Sequence, residues 1–349
     1  MDSIVRYLSL KTKAGILAAI VFIVLIVMTA VGWYWSQEPA PFNVEKIAAQ
    51  YAQSMNAEIV PGFVTTATTI ELGQILLHKP GGYLTNDKTP PSIFLDNIPN
   101  WEFGLLVQLR DFTEAMREDL SRSQSQSTEN KLLAKAEPKL KFDNGAWIFP
   151  DTESEYSEGL DYLKRYLANL GGGTVKGEKK NKRDNQDGRF YARADNLRNW
   201  LDHVSKRLGS ISQRLSASVG FRGPQARAVA KDIETSRVEV AANGETQIKT
   251  PWLAIDDNFY EARGATYALL HLLKAIEIDF AQVLAKKNAT ASLRQIIREL
   301  EGTQEALSSP IVLNGSGMGM LANHSLVVAS YISRANAAII DLRSLLDQG

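Results

Sequence analysis

The sequence predicts a mainly α-helical protein: a single transmembrane helix, then a helical-bundle body outside the cytoplasm that carries small β-hairpins and degenerate internal repeats. Three observations carry this expectation. First, the 24 residues from Ala14 to Gln37 contain no charge and are apolar almost throughout. A helix of that length spans about 36 Å, against about 30 Å of hydrocarbon. Second, apolar residues downstream recur at spacings of three and four, the signature of helices with one buried face. Third, the pieces between these stripes are rich in Gly, Pro, Asn and Asp, the residues that turn a chain.

The composition narrows the class. The chain has 349 residues, 44% of them apolar, with 39 Lys plus Arg against 39 Asp plus Glu. That apolar content excludes a disordered chain, and the charge balance disfavours a nucleic-acid partner. There is no Cys, which removes disulfides, thiolate metal sites, a Cys nucleophile and a lipidated N-terminus. Neutrality hides an asymmetry: residues 1–37 hold Arg6, Lys11 and Lys13 against Asp2, leaving 36 positive and 38 negative charges for the rest.

The elements follow in order. Residues 1–13 form a short cytoplasmic N-terminus, because Arg6, Lys11 and Lys13 precede the apolar run and hold it positive-inside. Residues 14–37 form the membrane helix. Trp33, Tyr34 and Trp35 stand where an outer interfacial belt belongs. A cleaved signal peptide would have a shorter apolar stretch ending in small residues, so an uncleaved signal anchor is the expectation. Gly15 and Ala19 could support helix pairing in the bilayer, a spacing that also arises by chance in so Ala-rich a run. Residues 38–349 make the body, with sub-units at 42–170 and 190–349 around a mobile loop at 171–189.

Within the body, Leu105, Leu109, Phe112, Met116 and Leu120 form one stripe, and Leu160–Leu170 a shorter one. Ala194, Leu197, Leu201, Val204, Leu208, Ile211 and Leu215 keep a heptad rhythm, a coiled-coil-like seam. Ala265, Leu269, Leu272, Ile276, Phe280 and Val283 follow, then Leu293–Leu307, then Val328, Ile332, Ala335, Ile339, Leu342 and Leu346. The ordinary reading of all of them is bundle core. Asn-Gly dipeptides at 144–145 and 243–244, flanked by alternating residues, each suggest a hairpin within 139–149 and 237–249. An Asp-x7-Gly spacing recurs at Asp96–Gly104, Asp151–Gly159 and Asp256–Gly264. It suggests a repeated arm, capping Asp and helix.

Chemical signatures are sparse. The four His (His78, His203, His271, His324) show no metal-ligand spacing, and no cofactor is expected. The densest polar and aromatic cluster is Trp252, Tyr260, Glu261, Arg263 and His271. It reads either as part of a site or as a capping salt bridge beside core aromatics. The run around Asn314, Gly315, Ser316, Gly317 and Gly319, followed by Asn323 and His324, could offer backbone N–H groups to an anion at a helix start. It lacks a P-loop Lys, and a plain turn explains it equally. Glu102, Glu261 and Asp279 are the carboxylates that an acid-base hydrolase would use.

The words HKPGGYLTNDKTPP, DNIPNWEFG, SRSQSQSTE, FYARADNLRNWL, SQRLSASVG, DDNFYEARGATYALLHLLKA and NGSGMGMLANHSLVVASYISRANAAIIDLR resemble a family of proteobacterial proteins of unknown function that carry an N-terminal membrane anchor. The resemblance runs over nearly the whole chain. It implies a single-pass protein of a Gram-negative inner membrane with its bulk in the periplasm, and brings no activity or catalytic residue with it. Together these readings favour a scaffold or adaptor that assembles with itself or with envelope partners and meets the lipid bilayer through its N-terminal helix. The alternatives are a periplasmic envelope hydrolase and a ligand-sensing ectodomain, the latter disfavoured by a cytoplasmic part of about 13 residues.

Overall fold

The computed structural model describes residues 2–123, 128–175, 188–222, 237–240, 246–309, 311–316 and 320–348. Its helices are α1 (Asp2–Trp35), α2 (Val44–Met55), α3 (Phe63–His78), α4 (Asn97–Ala115, prolonged by a π-helical turn Met116–Leu120), α5 (Lys131–Leu140) and α6 (Thr152–Leu170). They continue with α7 (Ala194–Ser216), α8 (Ile255–Asp279), α9 (Ala281–Lys286), α10 (Thr290–Gly302) and α11 (His324–Asp347). The chain is mainly helical, with one apolar N-terminal helix that stands outside the packed body.

The stripes read from the sequence become the core. Leu105, Leu109, Phe112, Met116 and Leu120 are all buried, as are Leu197–Leu215 of the α7 seam and Val328–Leu346 of α11 at their stripe positions. The α7 and α11 stripes face each other in an antiparallel pair: Ser212 Oγ meets Ser333 Oγ at 2.6 Å, Ser205 reaches Asn336, and Arg198 pairs with Asp347. The stripe at 265–283 is broken: α8 ends at Asp279 and α9 begins at Ala281. The Asp279 carboxylate is drawn to the start of α3, where it accepts hydrogen bonds from the Thr65 N–H (2.7 Å) and hydroxyl (2.6 Å).

The centre of the body is the pair α4 and α8. Asn100 Nδ2 donates to Asp257 Oδ1 at 2.7 Å, so the two N-termini lie together and the helices run in the same direction. They touch backbone to backbone. A Cβ on Gly104 would overlap the Glu261 carbonyl oxygen, and one on Gly264 would overlap that of Trp101. Because α4 and α8 come from opposite halves of the sequence, the core does not divide at 171–189. One hydrophobic cluster runs from Val44 to Leu346.

Two expectations require correction. The segment 139–149 is not a hairpin: Lys139 and Leu140 close α5, and Asn144-Gly145 lies in the turn after it. The helical option wins there because Asn130 caps the first turn and Leu132, Leu133, Ala136 and Leu140 bury one face. Farther on, β2 (Arg237–Val240) pairs antiparallel with β3 (Thr246–Lys249), whose other edge takes β1 (Phe221–Arg222). The Asn243-Gly244 tip lies outside the described residues, as do 176–187 of the loop expected to be mobile. The Asp-x7-Gly spacing does not mark a repeated unit. Asp96 and Asp151 precede α4 and α6 and accept from the N–H groups of Asn97 and Ser154, whereas Asp256 lies inside α8, behind Ala254.

Candidate functional site

The arrangement most specific to this chain is the junction between α1 and the body. The stretch Lys13–Trp35 is apolar enough to cross a membrane, and its membrane-length window is not buried by the rest of the chain. Contact begins only near its end. Gly32 is buried against Pro91 and Leu95, with a Cβ there 3.7 and 3.6 Å from their side chains. Trp35 lies over Gly81, whose φ of +86° suits glycine and where a Cβ would come within 2.8 Å of Trp35 Cγ.

From Trp35 the chain leaves helix and becomes a strap laid along α8. Glu38 meets Arg263, Ala40 meets Tyr267, and Phe42 meets His271. The periodicities explain the fit. Two extended residues advance about 6.6 Å, and four helical residues about 6 Å, so every second strap residue finds the same face of α8. The strap climbs from the N-terminal third of α8 towards its middle, then Asn43 caps α2 by accepting from the Lys46 N–H.

Each contact is specific. Arg263 is buried and binds Glu38 through two nitrogens, Nε to Oε1 at 2.8 Å and Nη2 to Oε2 at 2.7 Å. Its Nη1 donates to the carbonyls of Thr303 and Glu305, so one guanidinium ties strap, α8 and the turn after α10 together. The Tyr267 hydroxyl donates to the Ala40 carbonyl at 3.0 Å. His271 is fully buried; its Nδ1 donates to the Tyr267 carbonyl at 2.7 Å and its Nε2 accepts the Phe42 N–H at 3.0 Å. Both bonds require a neutral ring of one tautomer, and burial pushes the His271 pKa down to about 4. The Phe42 ring stacks on it at 4.0 Å and 15°.

A second tie binds the loop beneath α1 to α4. Glu102 is fully buried and accepts from the Leu84 N–H (2.9 Å), the Thr85 N–H (2.8 Å) and the Thr85 hydroxyl (2.5 Å), and it pairs with buried Lys79. Burial pushes its pKa up, opposed first by Lys79 and then by these hydrogen bonds.

The residues singled out in the sequence separate accordingly. Arg263 and His271 belong to the strap contact, with half-buried Tyr260 close enough to Glu38 for that charge to join burial in raising its pKa. Glu261 turns away and takes both terminal nitrogens of Arg214 at 2.5 Å. Trp252 stands off in the turn before α8, 77% exposed. Glu102, Glu261 and Asp279 thus hold three different partners, and none of them lines either of the two clefts described below. Near 314–324 the polar groups satisfy each other. Asn323 caps α11, accepting from Leu326 N–H and donating to Asn314 Oδ1 and the Gly315 carbonyl. Asn314 donates to the Ser218 carbonyl, and His324 Nδ1 accepts from the Leu313 N–H. Ser316 follows this bridge, and Gly317 and Gly319 lie outside the described residues. Of the residues expected to orient the chain in a membrane, Trp33 and Tyr34 are exposed and Trp35 half-buried; the side chains of Arg6 and Lys11 lie outside the described residues, and Lys13 opens the apolar stretch.

Sequence reasoning missed the partners Glu38, Ala40 and Phe42, since nothing local marks a strap whose contacts lie about 230 residues away. The readable signal was Arg263, Tyr267 and His271 at spacings of four. Two clefts flank the body: one of about 850 Å³ beside the strap, lined by Phe42, Glu45, Lys274, Glu277 and Arg294 among others, and one of about 490 Å³ between the end of α3 and the start of α6.

Fold and junction together define a helical body fastened along one of its central helices to the segment that follows an apolar N-terminal helix. The chain belongs to a family of uncharacterised proteins conserved in bacteria, DUF2333, whose model matches residues 9–349. No curated protein and no solved structure matches it.

Proposed function

We propose that this protein is a single-pass scaffold or adaptor of the bacterial inner membrane, its N-terminus cytoplasmic and its body in the periplasm, that assembles with itself or with envelope partners. The observation that carries the reading is the strap. A tethered enzyme or a diffusing binding domain needs only a flexible linker, whereas here Glu38, Ala40 and Phe42 are each fixed to α8 by a separate bond. Such a junction gives the body one orientation relative to α1, and presenting a surface at a set height and angle is what a membrane scaffold requires. The engagement of Glu102, Glu261 and Asp279 with three separate structural partners further supports this reading over a carboxylate hydrolase.

The test is crosslinking in intact cells followed by purification of the full chain in mild detergent. A stable homo-oligomer or a reproducible envelope partner is the expected result. A monomer without any co-purifying partner would overturn the proposal. Location is tested separately: protease added to spheroplasts should degrade the body, and full protection would contradict the assigned topology.

A further inference from the structure

The end of the body at which α1 leaves exposes apolar side chains on several separate turns. Ile93 and Phe94, in the short 3-10 turn before α4, are 55% and 75% exposed, and Trp252 and Leu253, before α8, are both 77% exposed. Leu321, in the loop before α11, is 65% exposed. These turns share one end because the helices they precede do. Asn100 joins the starts of α4 and α8, Thr250 N–H donates to the Ala217 carbonyl at the end of α7, and Asn314 donates to the Ser218 carbonyl beside it. Scattered exposed apolar residues need no explanation, but several gathered at one end do.

The height of this end relative to α1 is fixed by contact. Pro91 and Leu95, which flank Ile93 and Phe94, are the residues that meet Gly32. Gly32 lies three residues before Trp35, the end of the apolar stretch, hence about 4.5 Å inside it along the helix axis. If α1 spans a bilayer, the 91–95 turn is already at interfacial depth, together with Trp33 and Tyr34. Trp252 adds an aromatic of the kind that favours this zone, with one apolar end and one polar N–H.

We infer that this end of the body is a membrane-contacting face: Ile93, Phe94, Trp252 and Leu253 seat below the headgroups, at the edge of the acyl chains of the leaflet from which α1 emerges, so that the body lies on the bilayer. The inference rests on the proposal that α1 is a membrane anchor and extends it to a second, non-helical contact with lipid. The occupant is lipid and not a second protein because the face continues the surface of α1 itself. Its charged neighbours are Asp96, Asp256 and Asp257; burial first, and then the nearby carboxylates, raise the proton affinity of Asp256 and Asp257. They would repel anionic headgroups, so the attraction is apolar and tolerates salt.

The chain has no Cys, so single-cysteine variants report one site each. Phe94→Cys and Leu253→Cys, with Val24→Cys in α1 and Lys206→Cys on the exposed face of α7 as references, are spin-labelled in the full-length protein. They are reconstituted into phosphatidylcholine vesicles, and accessibility to oxygen and to a water-soluble nickel chelate is measured. The expected result is preference for oxygen at positions 24, 94 and 253 and preference for the chelate at 206. Chelate preference at 94 and 253 with oxygen preference at 24 overturns the membrane face and leaves the anchor standing. Chelate preference at 24 overturns both. Low accessibility to both reagents at 94 and 253 assigns the face to a protein contact and also overturns the inference.

Discussion

Acid should loosen the strap through His271. The buried ring is held neutral, accepting the Phe42 N–H on Nε2, and an imidazolium has no lone pair there to accept it. With the pKa lowered to about 4 in the folded protein against about 6.5 in an unfolded chain, the unfolded state binds its proton first. His271 therefore contributes stability that is full above pH 6.5, declines as the pH falls and is gone by about pH 4. The whole effect is about 3 kcal/mol at about 1.4 kcal/mol per pH unit, of which roughly 2 kcal/mol is lost between pH 7.5 and pH 5. Other groups titrate in the same range, so the informative quantity is a difference between proteins. Urea unfolding of the body in detergent, followed by tryptophan fluorescence, should be compared at the two pH values for the native chain and for His271→Gln. The variant keeps an acceptor for Phe42 but cannot titrate, and its loss of stability should be smaller by about 2 kcal/mol. Equal losses in the two proteins would refute the reasoning.

Further substitutions probe the rest of the junction and its support. Gly104→Ala places a methyl against the Glu261 carbonyl and should cost about 1–3 kcal/mol, whereas Gly209→Ala, whose Cβ would meet only Asn336 Nδ2 at 3.7 Å, should gain up to about 1 kcal/mol from helix propensity. Urea midpoints with unchanged slopes measure both. Arg263→Ala strands Glu38 and two carbonyls and should cost about 3–5 kcal/mol, with limited proteolysis newly cutting between residues 36 and 43. Lys79→Met leaves the Glu102 carboxylate buried without its cation and should cost about 3–5 kcal/mol at neutral pH. Because burial raises the Glu102 pKa, that cost should shrink as the pH falls and the carboxyl takes a proton. A pH-independent cost would contradict the assignment.

Where one face of a helix is buried, the sequence was legible: the α4, α7 and α11 stripes are core at the positions their spacing marks. Legibility failed where burial is all-round or contacts are remote. In α3, Thr65, Thr66, Thr68 and Thr69 are all fully buried, so the first half of FVTTATTIELGQILLH has no exposed polar face to reveal its period. Two of their hydroxyls bond back along the helix, Thr66 to the Gly62 carbonyl and Thr69 to that of Thr65. In 139–149 a two-residue alternation was outweighed by the Asn130 cap and the apolar face of α5. The shared Asp-x7-Gly spacing did carry information of another kind: Gly104 and Gly264 are the two sides of one helix crossing. At the junction, Arg263 and His271 stood out as unusual residues in an apolar helix, but only folding supplied Glu38 and Phe42, and only folding turned Glu261 away.

The central claim, that the apolar helix and the body are one rigid piece, can be measured directly. Spin labels at Tyr34→Cys, on the exposed side of α1, and at Arg334→Cys, on the exposed side of α11, report the distance across the junction in the full chain reconstituted in nanodiscs. The strap predicts one narrow distance distribution at pH 7.5, broadened by Arg263→Ala. A broad distribution in the native chain, unchanged by Arg263→Ala, would mean that the body swings freely on the apolar helix and would contradict the account.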